Sequence, residues 1–390
     1  MFSINPEIGA GLVLWHPKGA LIRRIIRNVW EREHLRNGYR LVCTPHIARG
    51  ELWKTSGHLE YYAENMYIFE KDGEPYVIKP MNCPFHIQIY KAKPRSYKEL
   101  PIRYAEWGTV YRYERSGTIQ GLLRVRGFTQ DDAHIFCAPQ QVDEEILKIL
   151  DFAERFLKLF GFDEYKVELS TRDPKNLDKY MGSDEEWESA ENALARAIEK
   201  KGIPYKEMKG EAVFYGPKID IKIVDASGRS WQCSTIQFDF NLPKRFNLTY
   251  TGPNGKERMV FMVHRTLLGS IERFIGILIE HYKGNFPVWL APVQVRVLPI
   301  SDKYVEYAEK IHRKLSSLGV RSELDASPTT VSYKIREAEM QKIPFMVICG
   351  KREAESGVVS IRKHGGAKLN SLTLEEFIDI IRREEARCRV

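Results

Sequence analysis

The sequence predicts a mixed α+β protein of two domains, and three observations point to this class. Strand patterns at residues 109–114 and 125–135 are joined by a glycine-bearing loop, which predicts a long antiparallel hairpin. Helical patterns flank this hairpin on both sides in the chain. After Ala291 and Pro292, short strands and helices alternate, as in compact α/β units. We therefore expect a first domain over residues 1–289 and a second over residues 290–390.

The elements of the first domain follow from periodicity and breakers. Ile22, Ile26 and Trp30 recur at helical spacing after Pro17, and Gly38 ends that helix. A strand over 39–43 ends at Thr44-Pro45. Further strands are expected at 75–78, 219–224, 229–238 and 257–263, and helices at 141–160, 186–200 and 266–282.

The second domain is expected to contain seven elements. Strands are predicted over 293–298, 321–324, 345–349 and 358–362, and helices over 303–318, 331–340 and 374–387.

Composition restricts the class of protein. The 390 residues are 43% hydrophobic and 29% charged, as in ordinary globular proteins, and the apolar runs are too short for a bilayer. Six cysteines without paired spacing, and the lack of a secretory pattern, favour a cytoplasmic protein with no membrane partner. The net charge of +8 permits an anionic partner such as nucleic acid without requiring one.

One predicted strand has an unusually polar face. Side chains alternate along a strand, so Phe128, Gln130, Asp132 and His134 point to the same side. A strand face packed for stability alone would carry Val, Ile or Leu, so this face predicts the floor of a polar site. The alternative is a solvated face of an edge strand.

Arginines at the loop end of the hairpin suggest a phosphate site. Arg112 and Glu114 share a face of the incoming strand. Arg124 and Arg126 lie at the start of the outgoing strand and have the same side-chain parity as Phe128. Guanidinium groups bind phosphate oxygens and an aromatic ring accepts a purine, whereas surface Arg–Glu pairing is the alternative for each arginine alone.

Two further patterns bear on nucleotide binding. Gly269 and Arg273 lie four residues apart on the predicted helix 266–282, which is weak evidence by itself. The chain has neither a P-loop nor a Rossmann glycine motif, so a bound nucleotide would be held by arginines on an antiparallel sheet.

Taken together, these segments resemble the class II aminoacyl-tRNA synthetases, and specifically the threonyl-tRNA synthetase family. The resemblance covers essentially the whole chain. Residues 17–37 with the strand ending at Pro45 resemble motif 1, the dimer element; 112–114 with 126–134 resemble motif 2; 269–273 resemble motif 3; and 79–84 and 231–237 resemble the threonine-type blocks.

The resemblance implies a zinc ion, Zn²⁺, held by Cys83, His134 and His264. Their spacing contains no local metal signature, so sequence distance alone would not have indicated the site. A thiolate and two imidazoles are good zinc ligands and leave a coordination position for substrate. Taken singly, Cys83 is typical of a buried thiol and His264 of a helix start.

The resemblance also implies the substrate pocket. Asp132 would accept a hydrogen bond from the threonine hydroxyl, with Gln130, Tyr215, Lys218 and Gln237 around the amino acid. Gln232 and Thr235 would contact the adenylate. Gln232 and Gln237 have opposite parity on one strand, so both can face the site only if that strand contains a bulge or bend.

The implied reaction activates threonine with ATP and Mg²⁺ and transfers it to tRNA(Thr). Arg112 would stabilise the α-phosphate, with Glu114 beside the nucleotide, while Arg124 and Arg273 hold the γ-phosphate. Phe128 would stack on adenine, and Arg112, Arg273 and Lys218 are the expected catalytic residues. Positioning and electrostatics would supply most of the catalysis.

The second domain resembles the anticodon-binding domain of this group. Glu355 lies in a segment matching its loop before the last strand, and His364 replaces an arginine that reads an anticodon base in many relatives. A homodimer is expected from motif 1.

Many relatives carry amino-terminal editing domains, whereas here the catalytic pattern begins near Met1. We therefore expect a separate trans-editing protein, because one methyl group distinguishes threonine from serine too weakly.

The alternatives to this function are a sister class II synthetase for proline, serine or glycine, and a non-catalytic tRNA-binding or regulatory paralogue. A structural metal-binding module would not explain the arginines.

Overall fold

The computed structural model describes residues 1–224 and 228–386. The chain divides into two compact units. The large unit contains residues 3–14 and 27–277, and the small unit contains residues 1–2, 15–26 and 278 onward. Cys43, Cys83, Cys137, Cys233 and Cys349 are free thiols, and Cys388 lies outside the described residues.

The elements are as follows. The strands are β1 Phe2–Ile4, β2 Val13–Trp15, β3 Arg40–Leu41, β4 Ile47–Arg49, β5 Tyr67–Lys71, β6 Glu74–Ile78, β7 Ile102–Tyr111, β8 Gly127–Cys137, β9 Tyr165–Thr171, β10 Tyr205–Lys209, β11 Lys218–Val224, β12 Ser230–Asp239, β13 Thr249–Thr251, β14 Glu257–Met259, β15 Phe261–Ser270, β16 Val295–Pro299, β17 Ser322–Leu324, β18 Phe345–Cys349, β19 Val359–Lys363 and β20 Lys368–Leu372. The α-helices are α1 Pro17–Arg36, α2 Gly50–Thr55, α3 His58–Tyr61, α4 Cys83–Lys91, α5 Val142–Leu159, α6 Asp184–Lys200, α7 Asn241–Arg245, α8 Ile271–His281, α9 Val305–Ser317, α10 Val331–Met340, α11 Lys351–Ser356 and α12 Leu374–Ala386.

An eight-stranded sheet forms the centre of the large unit. Its strand order is β10-β9-β11-β12-β15-β8-β7-β3, with parallel pairs only at its two ends. β7 and β8 form the predicted hairpin, with Thr109 opposite Thr129. Because β8 lies between β7 and β15, its polar face is not that of an edge strand.

The helix α5 shows why the sequence folds this way on the covered side of the sheet. Its buried positions repeat at helical spacing and include Ile146, Ile149, Ala153 and Phe156, which face inward. This apolar stripe packs against β15 and β12, so the opposite face of the sheet is left for polar side chains.

The helix predicted over 266–282 was wrong at its beginning. β15 continues to Ser270, and α8 starts only at Ile271. The expectation failed because Leu267 and Leu268 are equally suitable for a buried strand and for a helix. Gly269 therefore lies on a strand, with φ of +74°, and does not share a helix with Arg273 as predicted.

The ends of the hairpin strands also differ from the prediction. β7 ends at Tyr111 and β8 begins at Gly127, so the four residues Arg112, Glu114, Arg124 and Arg126 lie just beyond the regular strands. The Arg112 N–H still donates to the Arg126 carbonyl at 2.8 Å, which carries the pairing one step further.

The small unit contains a five-stranded sheet of order β17-β16-β18-β19-β20. β16 pairs in parallel with β17 and β18, and the remaining pairs are antiparallel. The α/β character that strand–helix alternation predicted is present here. Two elements were not predicted, α11 and β20, and Arg387 of the last predicted helix lies outside the described residues.

Within the described ranges, no helix has both the length and the apolar character that crossing a membrane requires.

Candidate active site

The polar face of β8 is the floor of a cavity in the large unit. Phe128, Gln130, Asp132 and His134 all line this cavity of about 570 Å³, as their shared parity predicted. Asp132 is 8% exposed and His134 is 1% exposed, so this is an interior surface and not a solvated one.

Fourteen of the fifteen residues predicted for the catalytic, ATP, threonine and metal sites line this one cavity. They are Cys83, Arg112, Glu114, Arg124, Phe128, Gln130, Asp132, His134, Tyr215, Gln232, Thr235, Gln237, His264 and Arg273. Lys218 is the exception. Its ammonium group pairs with the carboxylate of Asp220 at 2.6 Å, and neither residue lines the cavity.

Cys83, His134 and His264 converge although they are far apart in the sequence. One ligand atom from each lies within 4.8 Å of the other two, and all three residues are buried. Cys83 is the first residue of α4, and burial raises the pKa of its thiol, as do the nearby carboxylates of Asp132 and Asp239. His134 and His264 are cross-strand neighbours on β8 and β15.

A hydrogen bond to the carboxylate of Asp239 fixes the orientation of the His264 ring. Its Nε2 lies 2.8 Å from Asp239 Oδ2, while Asp239 Oδ1 accepts the backbone N–H groups of Asn241 and Leu242. A proton on His264 Nε2 leaves Nδ1 as a lone pair directed into the cavity, 2.9 Å from His134 Nε2. This buried sulfur and nitrogen donor set fits a tetrahedral zinc ion with an open position.

The end of the cavity beside this trio contains polar side chains that hydrogen-bond to one another. The Tyr215 hydroxyl donates to Gln237 Oε1 at 2.6 Å, and the Asn82 amide donates to Asp132 Oδ2 at 3.0 Å. Burial raises the pKa of the Asp132 carboxyl from its ordinary value, although His86 and Asn82 act in the opposite direction. Asp132 Oδ1 lies 3.9 Å from His134 Nε2, so its carboxylate lies next to the trio of Cys83, His134 and His264.

Arginine side chains gather at the other end of the cavity. The Arg112 guanidinium lies 5.1 Å from the centre of the Phe128 ring and donates to the Pro80 carbonyl. Arg124 pairs with Glu114 at 2.9 Å, and Arg273 donates to the Leu123 carbonyl. Burial lowers the pKa of Arg273, and the nearby positive charges of Arg124 and Arg112 lower it further. Like charges collected in this way form a site for a polyanion.

The strand β12 contains the bulge that is needed for Gln232 and Gln237, which have opposite parity, to face the same side. Ile221 pairs with Ser234 and Lys222 with Gln232, so Cys233 is the extra residue. This irregularity lets Gln232 and Gln237 line the same cavity. Asp220 organises this wall, because its Oδ1 accepts hydrogen bonds from Gln232 Nε2 at 2.6 Å and Thr235 Oγ1 at 2.9 Å.

The motif 3 segment is held from the opposite face of β8. The pairing of β15 with β8 shifts between Thr266 and Ser270, and the N–H groups of Leu267, Leu268 and Gly269 donate to Asp131 at 2.8, 3.0 and 2.9 Å. A side chain on Gly269 would place its Cβ 2.9 Å from the Cys233 carbonyl oxygen. This tight joint sets the start of α8 and hence the position of Arg273.

The two residues predicted for the anticodon lie in the small unit. Glu355 is exposed in the last turn of α11, which precedes β19 and not the last strand as expected. His364 lies after β19, with Nδ1 2.7 Å from a Glu339 carboxylate oxygen.

The sequence reasoning missed several residues that support the site. They are His86, Glu106, Asp131, Asp220 and Asp239. His86 could have been found, because it lies three residues after Cys83 on one helix face. The others carry no local signal, since each meets its partner only through strand pairing.

Comparisons with known proteins agree with this geometry. The model of the tRNA synthetase class II core domain (G, H, P, S and T) matches residues 67–282, and that of the anticodon binding domain matches residues 294–384. A solved structure of the RNA binding domain of threonyl-tRNA synthetase from Cryptosporidium parvum Iowa II is 40% identical, covers 98% of this chain and 96% of that one, and superposes with a TM-score of 0.94.

The chain belongs to the threonyl-tRNA synthetase family, within class II.

Curated relatives agree with this assignment. The threonine–tRNA ligase of Sulfurihydrogenibium sp. (strain YO3AOP1) is 55% identical over 383 residues, and that of Aquifex aeolicus (strain VF5) is 54% identical over 382 residues. Each alignment covers 98% of this chain and 59% of the relative, so the chain spans about three fifths of the length of these relatives. The family relationship confirms the expected α+β architecture of a class II core followed by an anticodon-binding domain.

Proposed function

We propose that this chain activates L-threonine with ATP and transfers it to the 3′ end of tRNA(Thr). One observation carries the proposal: a single cavity places the buried trio Cys83, His134 and His264 beside three arginines and an aromatic ring. The trio suits a metal that selects an amino acid with a hydroxyl, and the arginines suit a nucleotide triphosphate.

Cys83 Sγ, His134 Nε2 and His264 Nδ1 would hold Zn²⁺. When bound, the ion would supply a Lewis-acidic position for the amino group and side-chain hydroxyl of threonine. Asp132 accepts the hydrogen bond of that hydroxyl and thereby orients the side chain. Gln130, Tyr215 and Gln237 enclose the amino acid and turn its carboxylate toward the arginine end.

The nucleotide occupies the arginine end of the cavity, accompanied by Mg²⁺. Phe128 stacks on adenine, Gln232 and Thr235 contact the adenylate, and Glu114 keeps Arg124 in place. Arg112 neutralises the α-phosphate while Arg124 and Arg273 hold the γ-phosphate. Lys218 acts through Asp220, which positions Gln232 and Thr235.

Chemistry in the first step is an in-line displacement. A threonine carboxylate oxygen forms a bond to the α-phosphorus, the bond to the bridging oxygen breaks, and pyrophosphate leaves. No proton has to move, so orientation and the fixed positive charge of Arg112 do most of the work. In the second step the oxygen of the terminal ribose hydroxyl of tRNA bonds to the acyl carbon, the bond from that carbon to the phosphate oxygen breaks, and AMP leaves together with the hydroxyl proton.

Selectivity follows from the polar end of the cavity. Valine lacks the hydroxyl and would leave buried polar groups unpaired, which costs a factor of about 10⁴–10⁵ in comparable sites. Serine keeps the hydroxyl and loses one methyl, which is worth only about 1–3 kcal/mol. We therefore propose that seryl-tRNA is removed by a site outside these 390 residues.

The remaining assignments concern domains and partners. We propose that residues 1–289 form the catalytic domain and residues 290–390 bind the anticodon, with Glu355 and His364 near the tRNA bases. A homodimer through the motif 1 region is supported by two exposed apolar side chains there, Leu35 and Leu41.

Amino-acid-dependent pyrophosphate exchange tests the proposal. We expect exchange with threonine, weaker exchange with serine, and none above background with valine or proline, together with one zinc per chain by metal analysis. Exchange with proline alone would indicate a sister synthetase. The absence of exchange with every amino acid, in protein that contains zinc and binds tRNA, would indicate a non-catalytic paralogue.

A further inference from the structure

A continuous chain of polar side chains runs through the buried floor of the cavity. His264 connects Asp239 to His134, and His134 Nδ1 lies 2.7 Å from His86 Nδ1. His86 Nε2 then lies 3.0 Å from Glu106 Oε2. The rings of His86 and His134 meet edge to face, at 88° with centroids 4.6 Å apart.

Glu106 is held firmly at the far end of this chain. Its carboxylate accepts the Thr44 N–H at 2.8 Å and the Thr44 hydroxyl, and the buried ammonium group of Lys79 lies 3.6 Å away. Burial alone would raise the pKa of the Glu106 carboxyl, but His86 and Lys79 together hold it below its ordinary value. An ionised carboxylate is only an acceptor, so the proton between Glu106 and His86 belongs to His86 Nε2.

This assignment determines which ring nitrogen carries the proton in each of the other histidines of this hydrogen-bonded network. With its proton on Nε2, neutral His86 offers a lone pair at Nδ1, so the His134 nitrogen that faces it must carry a proton. His134 Nε2 is then a lone pair, and it faces the lone pair of His264 Nδ1 across 2.9 Å. Two lone pairs at that distance repel, and a cation between them removes the conflict.

We infer that His86, anchored by Glu106, is a positioning residue that sets the tautomer and ring orientation of His134 for metal binding. The inference rests on the metal site of the proposed function. His86 does not line the cavity and would touch neither metal nor substrate. Its effect passes through His134, since the hydrogen bond from His134 Nδ1 both orients the ring and makes Nε2 a stronger ligand.

Two substitutions at this position separate hydrogen bonding from bulk. His86→Leu fills the space but cannot accept the His134 proton. His86→Gln can accept it through the side-chain oxygen while its amide donates to Glu106. His34→Leu is the matched control, because His34 is also fully buried but hydrogen-bonds to the Trp30 carbonyl, away from the cavity.

Zinc affinity, measured by competition with a chromophoric chelator, is the decisive quantity. We expect His86→Leu to bind zinc about 10–100-fold more weakly than the wild type, in the range found for outer partners of metal ligands. His86→Gln should recover most of that affinity, and His34→Leu should bind zinc like the wild type. Cobalt-loaded wild type and His86→Gln should share one visible spectrum, from which His86→Leu departs.

The possible failures are distinguishable. A wild-type chain that binds no zinc overturns the metal site and this inference together. A wild-type chain that binds zinc, with His86→Leu unchanged in affinity and cobalt spectrum, overturns only the role of His86. If His86→Leu does not fold, ¹⁵N-histidine NMR of the zinc-loaded wild type decides: protons on His134 Nδ1 and His86 Nε2 support the inference, and a proton on His86 Nδ1 overturns it.

Discussion

Replacement of Asp131 by asparagine would test how the motif 3 segment is positioned. Asp131 is fully buried on the face of β8 opposite the cavity, and its two oxygens accept three backbone N–H groups from residues 267–269. Asparagine has nearly the same shape, but only one of its two terminal atoms accepts hydrogen bonds. At least one of the three N–H groups would therefore lose its acceptor and meet an NH₂ group.

The expected cost follows from these contacts. A buried donor left without a partner costs about 1–3 kcal/mol, so Asp131→Asn should lower the free energy of unfolding by about that amount. Asp131→Ala leaves three donors unpaired, a cost of about 3–9 kcal/mol that approaches the whole stability of a typical domain. Asparagine is therefore the informative change and alanine is expected to prevent folding.

We expect activity to decline along with stability, because the same segment sets the position of Arg273. The displaced segment precedes α8 directly, so we expect a higher KM for ATP with a smaller effect on the KM for threonine. Urea unfolding and pyrophosphate exchange measure the two effects. Asp143→Asn, at an exposed ion pair with Arg196, is the control and should change the free energy of unfolding by less than about 0.5 kcal/mol. A fully stable Asp131→Asn protein with normal ATP kinetics would refute the reasoning.

Two further predictions concern the same joint and the metal trio. Gly269→Ala should destabilise the large unit and weaken ATP binding, because φ is +74° and the new Cβ would meet the Cys233 carbonyl; Gly117→Ala, which meets nothing within 4 Å, is its control. Dialysis against a strong chelator should abolish threonine-dependent exchange and zinc should restore it, whereas activity that survives complete zinc removal would contradict the role of Cys83 and the two histidines.

The sequence predicted the parts of the site that lie on one regular element. The polar face of β8 could be read from parity alone, because alternation fixes which residues share a side. The same rule identified the need for a bulge between Gln232 and Gln237, which the structure places at Cys233. The metal trio came only from family resemblance, since its members meet through a helix end and two paired strands.

Prediction failed where local pattern was ambiguous or the cause was not local. Leu267 and Leu268 suit a strand as well as a helix, and the strand was selected by Asp131, which is far away in the sequence. The hairpin strands were placed too far toward the loop because the arginines there continue the alternation without regular pairing. Carboxylates such as Asp239 are indistinguishable from surface residues until the fold brings a histidine to them.

The two faces of β8 explain why adjacent carboxylates have different tasks. Asp132 faces the cavity, where it borders the metal position, whereas Asp131 faces the opposite side and holds motif 3. A slip of one residue in the pairing of β8 would exchange these carboxylates and turn His134 away from His264. The three residues of β15 between Thr266 and Ser270 stand opposite Asp131 alone and resist such a slip, because their N–H groups donate to its carboxylate. The positions of Cys83, His134 and His264 at one end of the cavity and of Arg273 at the other therefore depend on a single register, and a change that loosens the joint at Asp131 should disturb both ends of the cavity.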